Sequence, residues 1–199
     1  MSKLGKVLLL IMCLVLLWPG MVSAWIVGGQ IKDTTREINF TVGDFIGQAS
    51  GTTAAAITAS TTPGLETDNN LADIVWADGE TDPVTLTFQV PPEYISGMVF
   101  YALCDQSSAS TTACEVDFEL YINTDGASTW DSAAEGNTPV ALATTAASPQ
   151  EVTLTPNATD IEVISAGDWI TINIWRDDTA TGTADLEFYG LTVSYTADQ

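Results

Sequence analysis

The 199-residue sequence contains no histidine. That absence removes the usual Ser-His-Asp and Cys-His arrangements, the His-based zinc motifs and most general-base designs. Basic residues are nearly as scarce: Lys3, Lys6, Lys32, Arg36 and Arg176 stand against 26 Asp and Glu, a net charge of −21. Phosphate backbones are held by clustered Lys and Arg, so nucleic acid is excluded as a partner and an anionic membrane surface is disfavoured. No Cys-x-x-Cys pair, Gly-rich phosphate loop or nucleophile elbow occurs, which sets soft-metal and nucleotide chemistry aside. No stretch repeats its apolar residues at the 3.6 spacing of an amphipathic helix.

What is there begins with an export signal. Lys3 and Lys6 precede the apolar run Val7–Leu17, Pro19-Gly20 breaks it, and Val22-Ser23-Ala24 offers small residues for cleavage. Residues 1–24 are therefore expected to be a signal peptide, the alternative being an uncleaved anchor, since apolar character runs on to Val27. A segment 25–35 follows, and 36–199 is long enough for one domain with a full core. The exported chain would keep three basic residues against 26 acids, a net charge of −23. Such a charge keeps a protein soluble and suits a saline or calcium-rich exterior. Only four residues follow the last expected strand, so no C-terminal sorting or anchor segment is expected.

Period-2 patterns dominate the rest. Val84–Val90 and Glu115–Ile122 alternate apolar and polar, and the second sends Val116, Phe118, Leu120 and Ile122 inward. Met98–Cys104 is apolar throughout, as for a strand covered on both faces. Ile170, Ile172 and Ile174 share one face, with Trp169, Thr171, Asn173 and Trp175 on the other. Leu186–Tyr195 changes phase at Gly190, which predicts a bulge or a corner. Shorter strands are expected at 37–42, 54–59, 71–77, 140–142, 152–154 and 161–164. Eight to ten strands with turn signals between them predict a single antiparallel β-sandwich, most simply jelly-roll-like.

Asp105–Ala113 is a polar loop between two apolar strands, read as a long hairpin with Cys104 and Cys114 at its ends. In an exported chain these two cysteines predict a disulfide, contributing about 3 kcal/mol by loop closure. Hard oxygen ligands for calcium could come from Asp78 and Asp82, from Asp125, and from Asp177 and Asp178, although none has diagnostic spacing. Tryptophans Trp76, Trp130, Trp169 and Trp175 could stack on sugar rings or fill the core or an interface. Trp130 and Trp175 are the ligand-binding candidates. Asn39 and Asn157 begin glycosylation sequons, which matter only in a eukaryotic host.

Glu115-Val-Asp-Phe-Glu119 places three carboxylates on one strand face and resembles the active-site strand of the family 16 glycoside hydrolases. The resemblance covers five residues and implies Glu115 as nucleophile, Asp117 as its helper and Glu119 as acid/base. The run Ala166–Asp177 with the closing strand to Tyr195 resembles the terminal strands of jelly-roll modules in phage and virion-surface proteins and in secreted adhesive proteins. It covers about 30 residues of the chain, and fold likeness of this kind does not transfer function.

Together these features predict a secreted or surface-associated, non-enzymatic β-sandwich. One version binds glycan or a surface partner through the loops at Asp78–Asp82, Asn123–Asn137 and Asp177–Asp185, with calcium as the one cofactor considered. A second assembles into a filament by adding Trp25–Val42 to a neighbour's sheet. A third is a retaining hydrolase using Glu115 and Glu119.

Overall fold

A computed structural model describes residues 33–49, 53–58, 63–68, 71–110, 112–127, 138–145, 148–156, 163–177 and 182–198. The expected signal peptide, most of the segment 25–35, and Trp130, Asp178 and Asn157 lie outside the described residues. Thr34–Ala197 forms one compact unit.

Among the described residues there are twelve strands: β1 (Thr34–Thr41), β2 (Ile46–Ala49), β3 (Thr53–Ala55), β4 (Gly64–Asp68), β5 (Leu71–Trp76), β6 (Val84–Gln89), β7 (Tyr94–Gln106), β8 (Glu115–Asn123), β9 (Val140–Ala141), β10 (Gln150–Leu154), β11 (Trp169–Arg176) and β12 (Leu186–Ala197). They form two antiparallel sheets. The first runs β10-β7-β12-β5-β4 with β1 also on β12, and the second runs β3-β2-β6-β11-β8-β9. The expected all-β sandwich is thus observed, with two strands, β2 and β4, in stretches where no strand was expected. Residues 163 and 164, at the end of the expected 161–164 strand, are not in a strand.

Alternation builds the core. From the second sheet, Val116, Phe118, Leu120, Ile170, Ile172 and Ile174 are fully buried, joined by Val84 and Leu86. They meet Ile74, Trp76, Phe100, Ala102, Leu186 and Phe188 of the first sheet in one hydrophobic cluster. Each large side chain so buried contributes about 1.5–3 kcal/mol relative to exposure. Trp76 is at the bottom of this core, its indole N–H donating to the Asp82 carbonyl at 2.8 Å, so it is no sugar platform.

Two expectations about the central stretch are corrected. Met98–Cys104, within β7, is not covered on both faces: Phe100, Ala102 and Cys104 are buried, but Leu103 between them is 38% exposed. Nor do β7 and β8 form a hairpin. β7 pairs with β10 and β12 in one layer, β8 with β11 and β9 in the other. The polar loop between them crosses the sandwich, and it is longer than the two to five residues that usually close a hairpin. The premise for a cross-strand cysteine pair fails with it. Cys104 and Cys114 are free, buried thiols, and the Cys114 Sγ donates instead to the Ala184 carbonyl at 3.0 Å.

The phase change in β12 is as expected. Leu186 and Phe188 are buried, then Leu191, Val193, Tyr195 and Ala197, and the pairing with β7 slips between Phe188 and Gly190. The same point divides the other edge of β12, which pairs with β5 through Phe188 and with β1 from Gly190 onward. β1 approaches so closely that a Cβ on Gly190 would lie 2.6 Å from the Phe40 carbonyl oxygen. Thr34–Thr41, part of the strand expected to join a neighbour's sheet, is paired within its own chain.

Candidate functional site

The outward side of the second sheet is laid out by the same alternation that buries its isoleucines. With Ile170, Ile172 and Ile174 inside, Trp169, Thr171, Asn173 and Trp175 of β11 must face away. Pairing then fixes their neighbours. Trp169 lies between Gln89 of β6 and Asn123 of β8, Thr171 between Thr87 and Tyr121, and Asn173 between Thr85 and Glu119. Trp175 lies beside Asp117. Trp169 is 41% exposed, and Trp175 and Tyr121 are half-buried. Six residues of strand separate the two indoles, about 20 Å along the sheet.

The polar groups between them are held in place. The Thr85 hydroxyl donates to Asn173 Oδ1 at 2.7 Å, Thr87 and Thr171 share a hydroxyl–hydroxyl bond of 3.0 Å, and the Tyr121 hydroxyl donates to Glu119 Oε2 at 3.2 Å. Gln89 donates from its amide to the Gly167 carbonyl at 3.0 Å. Asn173 is 9% exposed, so on this side of the sheet it is a recessed amide with its oxygen already bonded.

Each end of β11 is tied down. Asp168, just before Trp169, accepts from the backbone N–H of Ser165 at 2.7 Å and of Asp125 at 3.1 Å. Its carbonyl accepts from Val90 N–H at 2.8 Å. At the far end Arg176, 1% exposed, donates to the Ala77 carbonyl at 2.7 Å, to Asp78 Oδ1 at 2.9 Å and to the Gly182 carbonyl. Neither Asp168 nor Arg176 stood out in the sequence as a clamp.

These ties separate the calcium candidates. Asp125 is at the Trp169 end of β11, while Asp177 follows Arg176 and Asp78 is engaged by it, about 25 Å away by strand length. Asp82 contributes its carbonyl to Trp76. Among the described residues no three His, Cys, Asp or Glu side chains gather into a group that could hold a metal.

Glu115, Asp117 and Glu119 do share the outward side of β8, each half-buried. Burial raises the Asp117 pKa above the ordinary carboxylate value, against the lowering effect of the Phe118 N–H bond, and the charges of Asp177, Glu119 and Glu115 add to the rise. Glu115 and Glu119 start about 13 Å apart along a regular strand, whereas a retaining pair brings its carboxyl groups within about 5–5.5 Å. Tyr121 already engages Glu119.

No family model and no curated protein matches the chain. Among solved structures, it is similar to a xylan-binding module CBM15 (15% identity, TM-score 0.49, covering 84% of this chain and 100% of that one). It is also similar to the CBM36-1 domain of a multidomain xylanase from the hindgut metagenome of Trinervitermes trinervoides (16%, TM-score 0.43, 79% and 96% covered). A third is the mannan-recognising carbohydrate-binding module TmCBM27 (10%, TM-score 0.41, 82% and 98% covered). At these identities and TM-scores the likeness extends to layout alone.

Proposed function

We propose that this chain is an exported, non-catalytic β-sandwich that binds glycan on the outward side of its second sheet. The observation that carries the reading is the row on β11: two indoles about 20 Å apart on one strand, with a recessed Asn173 between them and fixed hydroxyl, amide and carboxylate groups on both flanks. A pyranose ring presents an apolar C–H face and a rim of hydroxyls. Flat aromatic rings with a wet edge suit the face, and short, pre-positioned polar side chains suit the rim at low ordering cost. This moves the expected binding region from the sandwich-end loops to the sheet itself, retaining Trp175 and adding Trp169 and Tyr121.

The export signal read at residues 1–24 supports an extracellular setting for such a surface. Among the described residues no helix is long and apolar enough to cross a membrane.

The test is a glycan array followed by titration calorimetry on Trp169→Ala and Trp175→Ala. Loss of about tenfold or more in affinity for each, equivalent to about 1.4 kcal/mol, is the expected result. Binding that survives both substitutions undiminished would move the site elsewhere. Reducing sugar released from a polysaccharide panel, and abolished by Glu115→Gln, would replace this reading with hydrolysis.

A further inference from the structure

Resting on that reading, we infer that the face selects an extended, uncharged polysaccharide, with Asn173 and Glu119 as the central donor–acceptor pair and the β8 acids rejecting polyanions.

Asn173 and Glu119 are direct cross-strand partners. Thr85 occupies Asn173 Oδ1, which orients the amide so that its Nδ2 group is the donor left for a ligand. Tyr121 takes one Glu119 oxygen, and the other remains an acceptor. A donor beside an acceptor matches two neighbouring sugar hydroxyls, one accepting and one donating. It does not match a carboxylate or sulfate ester, which can only accept. Because Asn173 is 9% exposed, a ligand that fails to use its amide leaves a recessed donor unsatisfied, which penalises the wrong partner more than it rewards the right one.

Charge points the same way. Glu115 and Asp117 continue the row from Glu119 toward Trp175. Of the two described basic residues, Arg176 is buried against Asp78, and Arg36, on β1 of the first sheet, is paired with Glu93 in the β6–β7 connection. No described cation on this face offsets the acids. A uronate or sulfated chain therefore meets like charge along a half-buried strand, where screening is weaker than in open water.

Affinity electrophoresis of the full chain through gels holding hydroxyethylcellulose, polygalacturonate or chitosan tests this. The neutral polymer should retard the protein and polygalacturonate should not. Asn173→Asp keeps the acceptor for Thr85 but loses the donor, and should weaken retardation by the neutral polymer at least tenfold. Glu115→Gln with Asp117→Asn should raise affinity for polygalacturonate relative to the neutral polymer by at least tenfold. Equal wild-type retardation by polygalacturonate, or an unmoved ratio in the double variant, overturns the selectivity while leaving the glycan face intact. Retardation confined to chitosan and abolished by salt reduces the face to simple charge pairing and also overturns the inference. Retardation by none of the polymers, nor by any array glycan, removes the glycan reading and this inference together.

Discussion

Arg176 and Asp78 form an unequal ion pair: the guanidinium is 1% exposed and its carboxylate partner 59% exposed, 2.9 Å apart. The arginine works mainly as a buried donor to two carbonyls, Ala77 and Gly182, and the aspartate is a wet counter-charge at the rim.

Arg176→Met should therefore cost about 3 kcal/mol, because two loop carbonyls lose their donor, and should lower Tm by roughly 6–12 °C. Asp78→Asn should cost about 1 kcal/mol or less, since water already screens that carboxylate. Thermal unfolding of both variants checks the ranking, and equal losses would mean that the ion pair, rather than the carbonyl clamp, dominates.

Asp117 gives stability a pH dependence of unusual sign for a carboxylate. Its native pKa is raised, chiefly by burial and further by the neighbouring acids, so the native state holds the proton more tightly than the unfolded chain. Stability from this group is present below the ordinary Asp pKa and is lost as pH rises through the raised native value. Asp117→Asn, which can still accept from Phe118 N–H, should raise Tm at neutral pH by about 1–2 °C. The gain should disappear in acid. A gain that is constant with pH would assign the effect to packing instead.

Both core cysteines should be chemically silent while the protein is folded. Burial and the Asp105 charge push the Cys104 thiol far up, and burial raises Cys114 despite the guanidinium of Arg176 beside it. Since the thiolate is the reactive form, iodoacetamide should label neither in native protein and both in guanidinium chloride, as read by peptide mass mapping. A cross-linked Cys104–Cys114 peptide from native material would contradict the free thiols.

Gly190→Ala should destabilise by about 2–4 kcal/mol, because the new methyl group would run into a backbone carbonyl of β1 that cannot swing aside. Gly79 is the control. It has φ +79 and nothing within 4 Å of its would-be Cβ, so Gly79→Ala should cost only the left-handed backbone penalty of about 1–2 kcal/mol. Gly190 also has a positive φ, +157, so in denaturant titration the excess of its loss over that of Gly79→Ala reports the close approach.

The strands with strict alternation, β6, β8 and β11, were legible because burial on one face writes its period directly into the residues, and the odd step at Gly190 was legible as a break in that period. β2 and β4 were not. They are short, and they are rich in Gly, Gln, Glu, Thr and Asp. Sequence neighbours also misled: β7 and β8 follow one another yet belong to different layers, and nothing in a polar loop says whether it turns back or crosses. On β11 the parity of Trp169 and Trp175 was plain, but both faces carry large apolar side chains, so which one the core takes was decided by what packs opposite. Asn173 carried no signal of its own beyond sharing that parity, and its recess depends on neighbours distant in the chain.

Thr34 and Ala197 are cross-strand partners at the open end of the β1–β12 ladder, so the compact unit begins and finishes within about 5 Å of itself. A tether attached at either boundary emerges at the same corner. Tension applied between the two would peel β1 from β12 one rung at a time instead of shearing eight rungs at once, making that seam the first to yield under mechanical load.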